Sequence, residues 1–129
     1  MLKLTYVENG FKMELLSQSL EDWVTVRVLL ALRSATPLCV EPSTASFLLP
    51  ADLPYLSNLS ALVRQEDSDV VEMAVCDEDY VEVSLYGTWL SSSPNSDEGV
   101  FVTAMSDRVE FFLFKVWQEA QTLASVARE

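Results

Sequence analysis

Val70-Val71-Glu72-Met73-Ala74-Val75-Cys76-Asp77-Glu78-Asp79-Tyr80-Val81-Glu82-Val83-Ser84-Leu85 is the stretch that decides how this chain folds. It holds two runs rich in β-branched residues, alternating in polarity and separated by three acidic ones. If Asp77-Glu78-Asp79 forms the loop, Cys76 faces Tyr80, Ala74 faces Glu82 and Glu72 faces Ser84. Val71, Met73, Val75, Val81, Val83 and Leu85 then share one face, and both glutamates lie on the other. A slip of one residue would bring glutamate into the apolar face, so the register is strongly specified. The reading is an antiparallel hairpin of Val70 to Cys76 and Tyr80 to Leu90.

Downstream, Ser91 to Gly99 reads as a polar loop and Val100 to Met105 as a further strand. Ser106 to Arg128 then forms the longest segment with one period. Ser106 is placed to cap free first-turn N–H groups, and Asp107 and Glu110 put negative charge at the positive end of the helix dipole. At about 100° per residue, Val109, Phe112, Leu113, Val116, Trp117, Ala120, Leu123, Ala124 and Ala127 fall on one face. Arg108, Lys115, Gln118, Thr122 and Ser125 fall opposite. Phe111 projects into the polar face and Phe114 onto its flank, so both are candidates for a protein interface, the alternative being cover by a loop or plain exposure.

Upstream, Leu2 to Val7 and Phe11 to Leu15 form a second hairpin about Glu8-Asn9-Gly10. Ser19, with Asp22 three residues on, starts a helix that runs to Arg33 and ends before Thr36-Pro37. Trp23 to Val28 could alternate as a strand, but the cap and the continuing Leu29-Leu30-Ala31-Leu32 run favour the helix. Arg27 then projects among Leu20, Trp23, Val24 and Ala31, its stem expected on apolar surface with its head at the rim. Leu38 to Glu41 and Ala45 to Leu49 read as two short strands about a Pro42-Ser43-Thr44 turn. Asp52 is expected to cap a helix carrying Pro54 in its first turn and an apolar stripe of Leu56, Leu59, Leu62 and Val63. The element order predicts an α+β fold: one domain, residues 1–129, with a largely antiparallel twisted sheet and helices packed on one face.

Composition narrows the function. Hydrophobic residues make up 50% of 129 positions with 3 Gly and 5 Pro, which excludes a disordered or fibrous chain. Apolar runs stop at five residues, too short for a membrane span or a signal-peptide core, so a cytoplasmic protein is expected. Cys39 and Cys76 are read as reduced, packed thiols, with a disulfide as the lesser alternative. The chain has no histidine, which removes Ser-His-Asp and Cys-His mechanisms and imidazole metal ligands. Twenty acidic against eight basic residues give a net charge of −12, which repels phosphate backbones and anionic membranes.

The acidic set Asp67, Asp69, Glu72, Asp77, Glu78, Asp79 and Glu82 is the one group with the oxygen chemistry that Mg²⁺ or Ca²⁺ requires. Asp77, Asp79, Glu72 and Glu82 are therefore the weak candidates for a metal, and solvated turns are the plainer explanation. Ser43, Thr44 and Ser46 have neither a base nor a glycine-rich phosphate loop nearby. No cofactor is expected. Tyr80, Tyr86 and Trp89 could stack bases on a sheet face, but the hairpin that carries them is acidic.

At Leu38-Cys39-Val40-Glu41-Pro42-Ser43-Thr44-Ala45-Ser46-Phe47-Leu48-Leu49-Pro50 and at Phe114-Lys115-Val116-Trp117-Gln118-Glu119-Ala120, the chain resembles a family of small uncharacterised proteins from cyanobacteria. That resemblance implies no activity and no catalytic residues. In size, acidity and α+β make-up the chain also looks like secretion chaperones, which dimerise, although the element order differs. The resulting expectation is a non-enzymatic cytoplasmic interaction module whose partner is another protein or a second copy. The alternatives are a Mg²⁺-dependent hydrolase or phosphotransferase using carboxylates of residues 67–82 and, less favoured, a single-stranded nucleic-acid binder.

Overall fold

A computed structural model describes residues 1–128 except Asn9, Asp67 and Ser68, with side chains as far as Thr122. The strands are β1 (Leu2–Val7), β2 (Gly10–Leu15), β3 (Cys39–Pro50), β4 (Val71–Val75), β5 (Tyr80–Ser91) and β6 (Gly99–Thr103); the helices are α1 (Leu20–Ser34), α2 (Leu56–Glu66) and α3 (Asp107–Arg128). The hydrogen-bonded strand order is β2-β1-β6-β5-β3, with β4 also pairing β5. The fold is α+β with antiparallel pairing, as the sequence predicts. Contacts divide the chain into two compact units, one of residues 1–44 and 86–104 and the other of residues 45–85 and 105–129.

In the first unit, β1 pairs β2 on one edge (Leu2 opposite Leu15) and β6 on the other (Leu2 opposite Thr103). Leu2, Leu4, Phe101 and Val102 are almost fully buried there. β5 joins β6 through Thr88 to Leu90, just after Gly87. A side chain at Gly87 would strike the Val102 carbonyl at 2.3 Å and the Phe101 ring at 2.8 Å, so the close approach of these strands requires glycine. The Thr103 hydroxyl donates to the Tyr86 carbonyl at 2.9 Å across the same contact.

α1 starts as predicted, with the Ser19 hydroxyl accepting from the Asp22 N–H at 3.2 Å. Its end is a Schellman turn: the Thr36 N–H donates to Ala31 and the Ala35 N–H to Leu32, with Ala35 left-handed at φ 52°. Trp23 is the one fully buried residue of α1; it packs with Met1, Leu90 and Val102, and Leu16, Leu20, Val24 and Leu38 close around it.

In the second unit, the predicted hairpin register holds throughout, with Val71 opposite Leu85, Glu72 opposite Ser84 and Ala74 opposite Glu82. The Cys76 N–H donates to the Tyr80 carbonyl and completes it. β3 runs antiparallel to β5, as the Ser46–Ser84 hydroxyl contact and the Ala51 N–H to Asp79 carbonyl bond require. α2 packs on β4 and on α3, burying Leu56, Leu59, Leu62 and Val63. α3 begins at the Ser106 cap, whose hydroxyl accepts from the Val109 N–H at 3.2 Å, and buries Val109, Leu113 and Val116 completely.

Four expectations need correction. β3 is one strand of 12 residues instead of two about a Pro42-Ser43-Thr44 turn; it stands last in the strand order, and an edge position tolerates a proline that has no N–H to offer the ladder. α2 starts at Leu56, so Asp52 does not cap it. Pro54 disfavours helix at Leu53, and Tyr55 adopts a left-handed φ of 66° before the helix begins. The apolar hairpin face is buried at Val71, Val83 and Leu85 but emerges at the loop end, where Val75 is 81% exposed. Cys76, beside it, is an exposed free thiol rather than a packed one, and Cys39 is free and half-buried. Asn9, Asp67, Ser68 and the side chains of Leu123, Ala124, Ser125 and Ala127 lie outside the described residues.

Candidate functional site

The candidate carboxylates Asp77, Asp79, Glu72 and Glu82 all lie on the exposed side or loop of the β4–β5 hairpin. The Asp77 carboxylate accepts from the Asp79 N–H at 2.7 Å and the Tyr80 N–H at 2.9 Å, which shapes the hairpin loop. Glu82 accepts from the Ser84 hydroxyl at 3.3 Å on the exposed face, and Glu72 and Asp79 are also exposed. Among the described residues, no group of three or more acidic or cysteine side chains converges as a metal site would require. Phe111 is 56% exposed and meets Phe112 edge-on with ring centroids 5.7 Å apart. Phe114 is half-buried and lies on Trp117, with ring centroids 6.3 Å apart.

Among the described residues, α1 carries a group of exposed aliphatic side chains that sequence reasoning passed over. Val26, Leu29, Leu30 and Leu32 are all exposed, Leu32 to 73%. On a helix wheel Val26, Leu29 and Leu32 occupy one broad sector opposite the side that Trp23, Leu20 and Val24 turn to the core, and Leu30 falls on the flank, about 20° from Trp23. Within that sector Asp22 and Arg33 sit near the two ends, equally distant from a point between Arg27 and Val28, and Val26 and Leu29 flank that point. No acidic residue stands between Asp22 and Glu41, although the chain as a whole carries −12. The signal in the sequence was the Leu29-Leu30-Ala31-Leu32 run, which puts apolar residues all round a helix that has only one side to bury.

Inward of α1 lies a cleft of about 470 Å³, within the range of small-molecule sites. β1 contributes Lys3 and Tyr6, α1 contributes Trp23 and Arg27, and Leu38, Leu90 and Val100 add apolar wall. The Arg27 guanidinium carbon lies 4.4 Å from the Trp23 ring centre and the Lys3 ammonium 5.7 Å from it, both within cation–π range. Arg27 thus rides on an aromatic face at the rim, close to the snorkelled position expected. Lys3 reaches Glu14 at 3.6 Å, but Glu14 is held closer by Lys12 at 2.8 Å. These two ammonium groups, the Lys12 hydrogen bond first, pull the Glu14 carboxyl below its ordinary 4.5. Burial pushes the Tyr6 phenol upward, so it stays neutral. Tyr6 is pinned between Phe11, stacked at 5.5 Å, and the edge of Trp89 at 5.7 Å. Gly99 opposite Tyr6 leaves room for the Trp89 ring, which a side chain there would meet at 2.5 Å.

Together these features define a small α+β protein with antiparallel strand pairing, an outward apolar helix and a cation-lined cleft. The chain belongs to the Alr0857-like family, whose profile matches residues 1–121. This bears out the resemblance to a family of small uncharacterised proteins read from Leu38 to Pro50 and Phe114 to Ala120. No curated protein and no solved structure matches the chain. No helix among the described residues is long and apolar enough to cross a membrane.

Proposed function

We propose that the protein is a non-enzymatic interaction module that works as a homodimer, with α1 of one copy packed antiparallel on α1 of the other. The observation that carries this reading is the outer face of α1, where Val26, Leu29 and Leu32 meet water, with Leu30 exposed at its flank, in an otherwise acidic protein. An exposed apolar patch of this kind marks an association surface. A second copy is the occupant favoured by the arrangement of charge. In an antiparallel pair whose axis passes between Arg27 and Val28, Asp22 of one copy meets Arg33 of the other at both ends, while Val26 meets Leu29 at the centre. A two-fold interface has this self-complementary form. The reading carries with it a reducing, cytoplasmic setting, in which an exposed free thiol such as that of Cys76 stays unpaired.

Sedimentation velocity at micromolar concentration tests the reading. The wild type is expected to run as a dimer, and Leu29→Lys with Leu32→Lys as a folded monomer. A monomeric wild type overturns the proposal. So does a dimer that ignores both lysines but dissociates on Phe111→Ser with Phe114→Ser, because the interface would then be on α3.

A further inference from the structure

We infer that the cleft beneath α1 is a binding site for a small amphiphilic monoanion, a carboxylate or sulfonate on an aromatic or short aliphatic body. The inference stands independently of the homodimer, since Arg27 and Trp23 lie on the inner side of α1. Three observations converge on it. The first is shape and surface: the cleft is open, large enough for one fused-ring body, and walled by Tyr6, Trp23, Leu38, Leu90 and Val100. Apolar walls with few polar groups are the ordinary make-up of a ligand site.

The second is charge. A chain of net charge −12 has only eight basic residues, yet two of them, Lys3 and Arg27, line this one cleft and lean on the same indole. Among the described residues no carboxylate makes an ion pair with Arg27, so its guanidinium keeps its fork of donors for an incoming oxyanion. Lys3 has only a shared claim on Glu14, at 3.6 Å against 2.8 Å for Lys12, and can turn to a second anion without leaving that carboxylate unpaired.

The third is what the cleft rejects. Glu98 stands in the same lining as the single acidic group, and the neutral Tyr6 phenol adds no charge. One negative group on the ligand finds two cations, whereas a second or third would meet Glu98 and the field of the whole chain. Monoanions are thereby selected over nucleotides and other polyanions.

The test is titration of the intact protein with anilinonaphthalene sulfonate, followed by fluorescence and calorimetry, then displacement by indoleacetate, its neutral amide and adenosine triphosphate. Saturable binding of one dye per chain is expected, with indoleacetate displacing it at least about tenfold better than the amide or the triphosphate. Arg27→Gln and Lys3→Gln should each weaken binding about tenfold, the loss expected for one charged hydrogen bond. Circular dichroism checks that each variant is folded, and either one alone suffices for the comparison. The inference is overturned if binding does not saturate, if the neutral amide competes equally, or if a folded Lys3→Gln or Arg27→Gln variant binds as tightly as the wild type. Binding that disappears only with Leu29→Lys and Leu32→Lys would overturn it too, because the dye would then sit on the outer face of α1.

Discussion

α1 and α3 begin alike and end up in opposite circumstances. Each is capped by a serine whose hydroxyl accepts an N–H at 3.2 Å three residues on, and each carries acidic residues in its first turn. α3 concentrates its apolar side chains in one stripe, and Val109, Leu113 and Val116 disappear completely into its unit. α1 distributes them round the wheel, and after Trp23 is buried four large aliphatics remain in water. Local signals are thus enough to start a helix, while the distribution of apolar residues decides whether the chain can satisfy it alone.

One substitution made in both helices should break this comparison open. Leu113→Lys places an ammonium in a fully buried site and is expected to remove most of the roughly 5–15 kcal/mol that a domain of this kind possesses. Leu32→Lys should change the stability of the isolated chain by no more than about 0.5 kcal/mol. Chemical denaturation of both variants reads the difference, and equal losses would mean that the outer face of α1 is not exposed in solution. The caps provide the matched control. Ser19→Ala and Ser106→Ala remove equivalent bonds, and each should cost about 1 kcal/mol by thermal unfolding. A much larger cost at Ser106 would show that the capping bond is amplified by the packing behind it.

The smallest expected effect is at Glu14. Its carboxyl is held below the ordinary 4.5 by Lys12 and Lys3, so the stabilisation it provides is complete above that value and fades as pH falls below it. The pair faces solvent, which limits the contribution to at most about 1 kcal/mol. Urea unfolding should separate Glu14→Gln from the wild type at about pH 6 and bring the two together at about pH 3.

Most of the architecture was legible because it rests on local rules. Alternation in Val70 to Leu85 gives the hairpin register without reference to any other segment, and Ser19 and Ser106 mark their helices by side-chain chemistry. What alternation does not give is depth: it places Val75 and Val83 on one face, but only tertiary packing determines that Val83 is buried and Val75 bare. Polar composition misled at Pro42 to Thr44, where an edge strand continues through residues that elsewhere make a turn. The cleft was illegible for a different reason. Lys3, Arg27, Leu38 and Glu98 come from four separate segments, and the pairing of β1 with β6 together with the packing of Trp23 and Leu38 brings them to one place.

That pairing also dictates an order of events. β1 finds its second neighbour only when Thr103 reaches Leu2, after nearly the whole chain has been made. A lone two-stranded hairpin is marginal in water, so β1 and β2 must wait, forming and dissolving, while every later strand emerges. Closing so long a loop is the slow step in proteins dominated by non-local contacts. During biosynthesis, the apolar residues of the first fifteen positions therefore stay uncovered longest, and this is the interval in which the nascent chain is most exposed to self-association and most dependent on chaperones.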